Sequence, residues 1–347
     1  MKKLINKIRR KSGVDESARI TTETIAEHRE RILAGGRRFK YPVQYARHRL
    51  VFNAILIGIA VIVLFVAFIG WRLYYAQDTS EFIYRITRIV PLPVAQVEGQ
   101  PVLYSDYLMK YRSSVHYLVE KEQVNLSTDD GKRQSDFVKQ QAMQDSIADA
   151  YALKIAKDKN ITVSDVELET FLKIQRKSSD GEVSESTYNA VILDYYGWSP
   201  EEYRHAMESK LLRQKVAYAI DDQAERTATA VTKGLTTTTD LKALAEALNK
   251  DPETQVAYAS QGWVPKSNQD GGLATAASAL QKGAISGMIT PTTGDGYYFL
   301  KLDDINDTQV NYQYIQILLT VFTSNVETAE KATKKYITIP DVTTTNE

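Results

Sequence analysis

An α+β chain, with one apolar spanning helix, a mostly helical domain and a closing α/β domain, is predicted by three features of the sequence. Leu50 to Trp71 form twenty-two positions without a charge. From about residue 93 to 220, apolar residues recur at three-to-four spacing behind residues that cap helices. From about 240 to 322, short helical stretches alternate with β-rich runs, the clearest being "VNYQYIQILLTVF", Val310 to Phe322.

Residues 1–49 carry fourteen Lys/Arg against five Asp/Glu, within a chain whose formal charge is zero. Thr24 to Leu33 reads as a short helix stopped by Gly35 and Gly36, lying on anionic lipid. The basic start "MKKLINKIRRK" has no aromatic platform or nucleic-acid motif beside it, which argues against a nucleic-acid partner. The run from Leu50 to Trp71 has Asn53 as its only strongly polar side chain. At about 1.5 Å per residue it covers the roughly 30 Å hydrocarbon core of a bilayer, so membrane lipid is its expected partner. Trp71, Tyr74 and Tyr75 follow where amphipathic rings favour the headgroup layer. A soluble core helix of this length would carry a polar stripe, and a cleaved signal would have a far shorter leader. Short Lys/Arg-rich flanks stay on the cytoplasmic side, so the expected topology is single-pass in the cytoplasmic membrane. Residues 1–49 are then inside, 50–71 span, and the bulk of the chain is extracytoplasmic.

Residues 78 to 92, ending in Pro91 and Pro93, read as an extended lead-in. Val94, Gln96, Val97 and Val102 around Gly99-Gln100 suggest two short strands, and Ser105 is placed to cap a helix starting at Asp106. Gln134 to Lys159 reads as a long amphipathic helix burying Phe137, Ala148, Tyr151 and Ile155. "SDVE" places Ser164 and Glu167 in a capping box. "GWSPEEYR" supplies a helix stop at Gly197, an N-cap at Ser199, Pro200 in the first turn and Glu202 at the third helical position. Further on, Thr239 is read as the N-cap of the helix "DLKALAEAL". Gly262-Trp263 reads as a turn, and an Ala-rich helix and a hairpin ending in "GYYFLKL" follow. Trp263 and the run Tyr297, Tyr298, Phe299 read as core and sheet residues. Asp295, Asp303 and Asp304 read as turn and edge positions, and nothing pairs them as an acid/base couple.

The chain has no cysteine and only four histidines, His28, His48, His116 and His205. That excludes disulfides, a cysteine nucleophile and thiolate metal sites, and no His pair has ligand spacing, so no metal or cofactor is expected.

Two phrases carry a family resemblance. "VAQVEGQPVLYSDYLMKYR" and "LDYYGWSPEEYRHAMESKLLRQKVAYAI" are similar to the start and the last helices of the chaperone domain of SurA and the related PrsA foldases. From Asp240 the order of parts, with Gly262, Trp263, Leu280, Gly283, Ile285, Ser286 and Gly296 in place, resembles the parvulin (PpiC-type) peptidyl-prolyl isomerases. The resemblance implies a helical SurA-type domain over 78–222, a parvulin-like domain over 223–340 and a tail at 341–347. The family opens on a strand reading Arg-His-Ile-Leu, absent before the parvulin-like helices here. Gln313-Tyr314-Ile315-Gln316-Ile317 fits it from the other end, so a circular permutation is expected, the alternative being an extra edge strand after a truncated domain. On this alignment the family's two histidines become Tyr298 and Tyr314, its pocket Met becomes Gln269 and its pocket Phe becomes Leu273.

The family's proline pocket needs apolar grip on a twisted amide, and tyrosines do not reproduce a pair of imidazoles. No confident catalytic residue therefore remains. The reading that follows is a membrane-anchored extracytoplasmic chaperone for unfolded or newly translocated polypeptides, its parvulin-like domain retained without efficient turnover. Two alternatives stay open: an active isomerase with an altered pocket, and a structural docking subunit of an envelope complex.

Overall fold

The computed structural model describes residues 21–178, 181–251 and 254–340. The readings for "MKKLINKIRRK" and those for the tail 341–347 lie outside them. The chain divides into two compact units, Met1–Trp71 and Arg72–Glu347.

In the first unit a single helix, α1 (Thr22–Gly70), runs through the expected stop at Gly35-Gly36. Glycine makes a helix costlier by about 1 kcal/mol per residue, but it ends one only where the chain turns left-handed, which Gly35 does not do. His48–Tyr75 is long and apolar enough to cross a membrane, and its most apolar window is unburied within the chain. A π-helical turn, Trp71–Tyr75, closes the stretch.

The second unit is mostly helical. The segment read as extended holds a helix instead, α2 (Glu81–Ile89). Its Ile83, Tyr84 and Thr87 are buried, and this apolar stripe outweighs the two prolines, which lie beyond its last turn. Then β1 (Pro93–Val97) and β2 (Gln100–Leu103) form the expected hairpin. The next helix, α3 (Tyr104–Glu120), starts before Ser105, and no side chain caps it. The chain passes straight from strand to helix because the Tyr104 amide bonds Leu92 O at 2.8 Å and its buried hydroxyl bonds Leu73 O at 2.7 Å.

The long helix α4 (Asp129–Lys159) begins earlier than its apolar pattern, capped by Thr128, whose hydroxyl accepts from the Gly131 amide at 3.1 Å. Ala148 and Tyr151 are buried as expected, whereas Phe137 stays exposed because Val138 faces the core in its place. After α5 (Asp165–Gln175), β3 (Lys177–Ser178) and β4 (Gly181–Glu182) make a small hairpin, followed by α6 (Glu185–Tyr196) and α7 (Pro200–Ile220). Both capping boxes form: Ser164 with Glu167 before α5, and Ser199 with Glu202 before α7. Leu168 and Leu172 of α5 pack with Ile192 of α6 and Tyr203 of α7. Ala152 and Ala156 of α4 pack with Val216 of α7.

The remaining elements are α8 (Asp222–Gly234), α9 (Leu241–Leu248), β5 (Ala257–Pro265), α10 (Leu273–Ser278), β6 (Gly296–Ile305), β7 (Gln309–Leu318), α11 (Val321–Ala332) and β8 (Lys334–Lys335). Asp240, not Thr239, caps α9, accepting from the Ala243 amide at 3.0 Å, because its carboxylate is the better acceptor. The antiparallel sheet has the order β5-β7-β6, so residues 312–317 run through its middle. Alternation along β6 and β7 builds a core on each face. Tyr297, Phe299, Ile315 and Ile317 meet α8 and α9, and Tyr298, Leu300, Leu302 and Tyr312 meet α10.

Gly262 and Trp263 lie within β5, not at a turn. Gly262 takes φ +72° where a bulge shifts the register, and the bulge leaves Trp263 45% exposed on an edge strand instead of in the core. Residues 321–335, read from sequence with the sheet module, return to the helical layer: α11 contacts α4 and α7, and β8 pairs with β1.

Candidate functional site

Strand period places Tyr312, Tyr314 and Gln316 of β7 on the sheet face that Tyr298 occupies on β6. In register, Gln316 stands opposite Tyr298, Tyr314 opposite Leu300 and Tyr312 opposite Leu302. Across that face lies α10, which contributes Leu273, Ala274 and Ala277. Three of the four residues singled out from sequence therefore come together: Tyr298 is buried, its ring centre is 5.6 Å from that of Tyr314, and both pack in the cluster that holds Leu273.

Gln269 does not join them. It lies in the loop before α10, and its amide donates to Lys177 O of β3 at 3.1 Å. A polar amide at this point finds a backbone acceptor on the helical layer and stays out of the apolar face.

Two carboxylates complete the cluster. The Tyr298 hydroxyl donates to Asp295 Oδ2 at 2.8 Å, and Gln316 Nε2 reaches Asp295 Oδ2 at 3.2 Å and the Tyr298 oxygen at 2.5 Å. The Tyr312 hydroxyl donates to Asp270 Oδ2 at 2.8 Å, while Asp270 also receives the Ala274 amide. Burial, then the adjacent Asp295 carboxylate, pushes the Tyr298 phenol well above the usual tyrosine range; burial and Asp270 do the same to Tyr312. Both rings remain neutral donors at any physiological pH. Neither has a free lone-pair role as a general base, and each donor is already committed to a carboxylate.

Asp295 is therefore more than the turn residue read from sequence: it organises this face. Asp303 and Asp304 keep peripheral roles, accepting from Gln313 at 2.7 Å and pairing with Lys282 at 3.0 Å. Gln316 was legible from its i+2 spacing after Tyr314, but Asp295 and Asp270 carried no local signal. They reach the site through loops whose course depends on the packing of α10.

A second feature belongs to the helical layer. A groove of about 700 Å³ runs between β2, α4 and α7, walled by Leu103, Leu153, Ala156, Ile161, Val163 and Leu212. At its rim His205 Nε2 lies 3.1 Å from Asp106 Oδ1, and this hydrogen bond holds the imidazole above its ordinary basicity. Asp149, also on the groove, pairs with Lys110 and lies 3.0 Å from Arg213 Nε. Outside the groove, α6 exposes Leu193, Tyr195 and Tyr196. Apolar walls with a sparse charged rim suit an extended, partly apolar chain. Among the described residues, no cluster of three His, Asp or Glu side chains is placed to hold a metal ion.

The family model described as the SurA-like N-terminal domain matches residues 44–217, and that described as the PPIC-type PPIASE domain matches residues 189–312. The second match begins within α6 and ends at Tyr312, so the placement of Tyr314 rests on strand register and not on that match. No curated protein matches the chain.

Proposed function

The chain belongs to the SurA/PrsA-type chaperones that carry a parvulin-like domain, and we propose that it holds unfolded polypeptides without isomerising them efficiently. The observation that carries this reading is the committed face of the sheet. Where the family resemblance puts two histidines and a proline pocket, Tyr298 is locked to Asp295 and Gln316 and packs in one cluster with Leu273. A barrier of about 20 kcal/mol is lowered only by a pocket complementary to the twisted amide, and a face already filled by its own side chains has no such complementarity to offer.

Binding falls to the helical layer. The groove between β2, α4 and α7 and the exposed apolar side chains of α6 are the surfaces offered to clients. Residues 50–71 anchor the protein in the cytoplasmic membrane, with the basic segment 1–49 inside and the folded bulk outside. Tethering there raises the local concentration of the binding surface for chains emerging from translocation. The domain limits are 78–222 for the helical part and 223–340 for the parvulin-like part, the last stretch of which, residues 321–335, packs back on the helical layer. The parvulin-like part is circularly permuted, a reading supported by the middle position of β7 in the sheet.

One preparation of the full chain in detergent, assayed two ways, tests the proposal. Aggregation of several unrelated unfolded clients is suppressed, and a protease-coupled isomerase assay stays at background. Turnover well above background that disappears in Tyr298→Ala overturns it in favour of an active isomerase. Suppression of no client, with one stable partner in a pull-down, overturns it in favour of a docking subunit.

A further inference from the structure

Helix α2 has two apolar faces, and the fold uses only one. Its inner side is fixed: Ile83, Tyr84 and Thr87 are buried, and the Tyr84 hydroxyl bonds Glu202. Arg112 holds its first turn, donating to Thr79 O at 2.8 Å and pairing with Glu81. The outer side carries Phe82, 58% exposed, Ile89, 81% exposed, and Val90 just past the helix end. Arg85 stands between them, paired to Glu81 at 2.8 Å and largely in solvent. Phe82, Arg85 and Ile89 follow i, i+3, i+7 spacing, so they form one stripe.

The place of α2 in the chain says what covers that stripe. Only residues 76–80 separate it from the apolar stretch ending at Tyr75. Fully extended, those steps reach about 20 Å. The link is drawn in further, since the Asp78 amide bonds Arg72 O at 2.9 Å, the Asp78 carboxylate pairs with Arg72, and the Ser80 amide bonds Asp78 Oδ1 at 2.9 Å. A helix held this close to the end of a membrane span cannot leave the vicinity of the headgroup layer. An aromatic ring, an aliphatic side chain and an arginine on one stripe are what an interfacial helix presents there: apolar groups to the acyl boundary, guanidinium to the phosphates.

We propose that the outer stripe of α2 docks on the bilayer that the preceding helix crosses, so that the helical domain is held against the membrane by a second contact and does not swing on its link. The proposal rests on the anchoring reading above, and the test separates the two.

The absence of cysteine makes every introduced thiol unique. Single variants of the full chain, Val63→Cys in the span, Phe82→Cys and Ile89→Cys on the stripe, and Val166→Cys on the exposed side of α5, are labelled with an environment-sensitive fluorophore. They are reconstituted in vesicles of phosphatidylcholine and phosphatidylglycerol brominated on their acyl chains. The expected result is strong quenching at position 63, quenching of about half that extent or more at 82 and 89, as a shallow interfacial position requires, and none at 166. In a Phe82→Ser/Ile89→Ser background a probe at Arg85→Cys loses its quenching while the one at 63 keeps it. Both replaced side chains are exposed, so folding is unaffected. If 63 is quenched while 82 and 89 behave like 166, docking is overturned and the anchor stands. Probes at 82 and 89 that are shielded from water yet unquenched by bromine overturn it in favour of a protein partner on the stripe. No quenching at 63 overturns the anchor itself.

Discussion

Tyr298 Oη lies 2.8 Å from Asp295 Oδ2, a bond between a β6 side chain and the residue just before that strand, and Gln316 of β7 reaches both groups. The relationship turns one end of the β6–β7 ladder into a closed polar knot beside the apolar cluster under α10. Hydrogen bonds to a charged partner contribute roughly 1.5–3 kcal/mol when buried, so this knot is a structural element in its own right.

Tyr298→Phe removes the donor and leaves Asp295 with one fewer partner. The expected loss of stability is about 2 kcal/mol, read from urea unfolding of residues 72–347. Isomerase turnover is expected to sit at background both before and after the change. A gain of turnover, or a change in stability below about 0.5 kcal/mol, contradicts the role assigned to the bond.

Asp221 is buried between the helical layer and the sheet. Its carboxylate accepts from the Ala224 amide at 2.9 Å, capping α8, and from the Thr320 and Val321 amides at 2.8 and 3.1 Å, where α11 begins. Asp221→Ala strands three amides at once, and about 2–4 kcal/mol of stability is expected to go with them. Hydrogen exchange localises the effect: amides of α11 and β8 lose protection before those of β6 and β7.

Glu202 at the start of α7 gives a pH signature. Burial opposes its ionisation, but hydrogen bonds from Tyr84 and from the Ser199 amide and hydroxyl, with Arg88 nearby, outweigh it and hold the carboxyl below its ordinary 4.5. A depressed value means that the stabilisation is present above the ordinary pKa and is lost as pH falls through the folded one. Glu202→Gln should therefore cost about 1 kcal/mol at pH 7, and the difference from the unsubstituted chain should shrink as pH falls below 4.5 through the depressed value.

His205 behaves in the opposite sense. The hydrogen bond to Asp106 raises its pKa above 6.5 against the effect of burial, so the stabilisation is present below 6.5 and lost as pH rises through the raised value. The ring is half exposed, which keeps the contribution under about 1 kcal/mol. Urea midpoints of His205→Gln and the unsubstituted chain should differ most at pH 5.5, and the difference should shrink as pH rises above 6.5; a difference that grows with pH reverses the assignment.

Local chemistry made much of the helical layer legible. A capping box such as Ser164 with Glu167, or Ser199 with Glu202, is written within four residues, and the structure forms both. Where packing competes with local chemistry, the sequence misleads. Ser105 is a good cap by type, yet α3 starts at Tyr104 because that ring is buried and its hydroxyl is bound to Leu73 O. The prolines at 91 and 93 suggest an extended lead-in, yet α2 forms ahead of them because one of its faces is covered.

By itself the sequence determined the apolar stretch from Leu50 to Trp71, the capped helices and the tyrosine-rich runs that hold Tyr298 and Tyr314. These are facts of composition, period and spacing, carried within a few residues. Only the tertiary structure decided what those tyrosines do. Asp295, Gln316 and Asp270 acquire meaning when β6 pairs with β7 and α10 closes over them, and Gln269 leaves the site because β3 offers it an acceptor. The physical reason is that a hydrogen bond has short reach and strict direction, so which donor meets which acceptor depends on elements brought together from far apart in the chain.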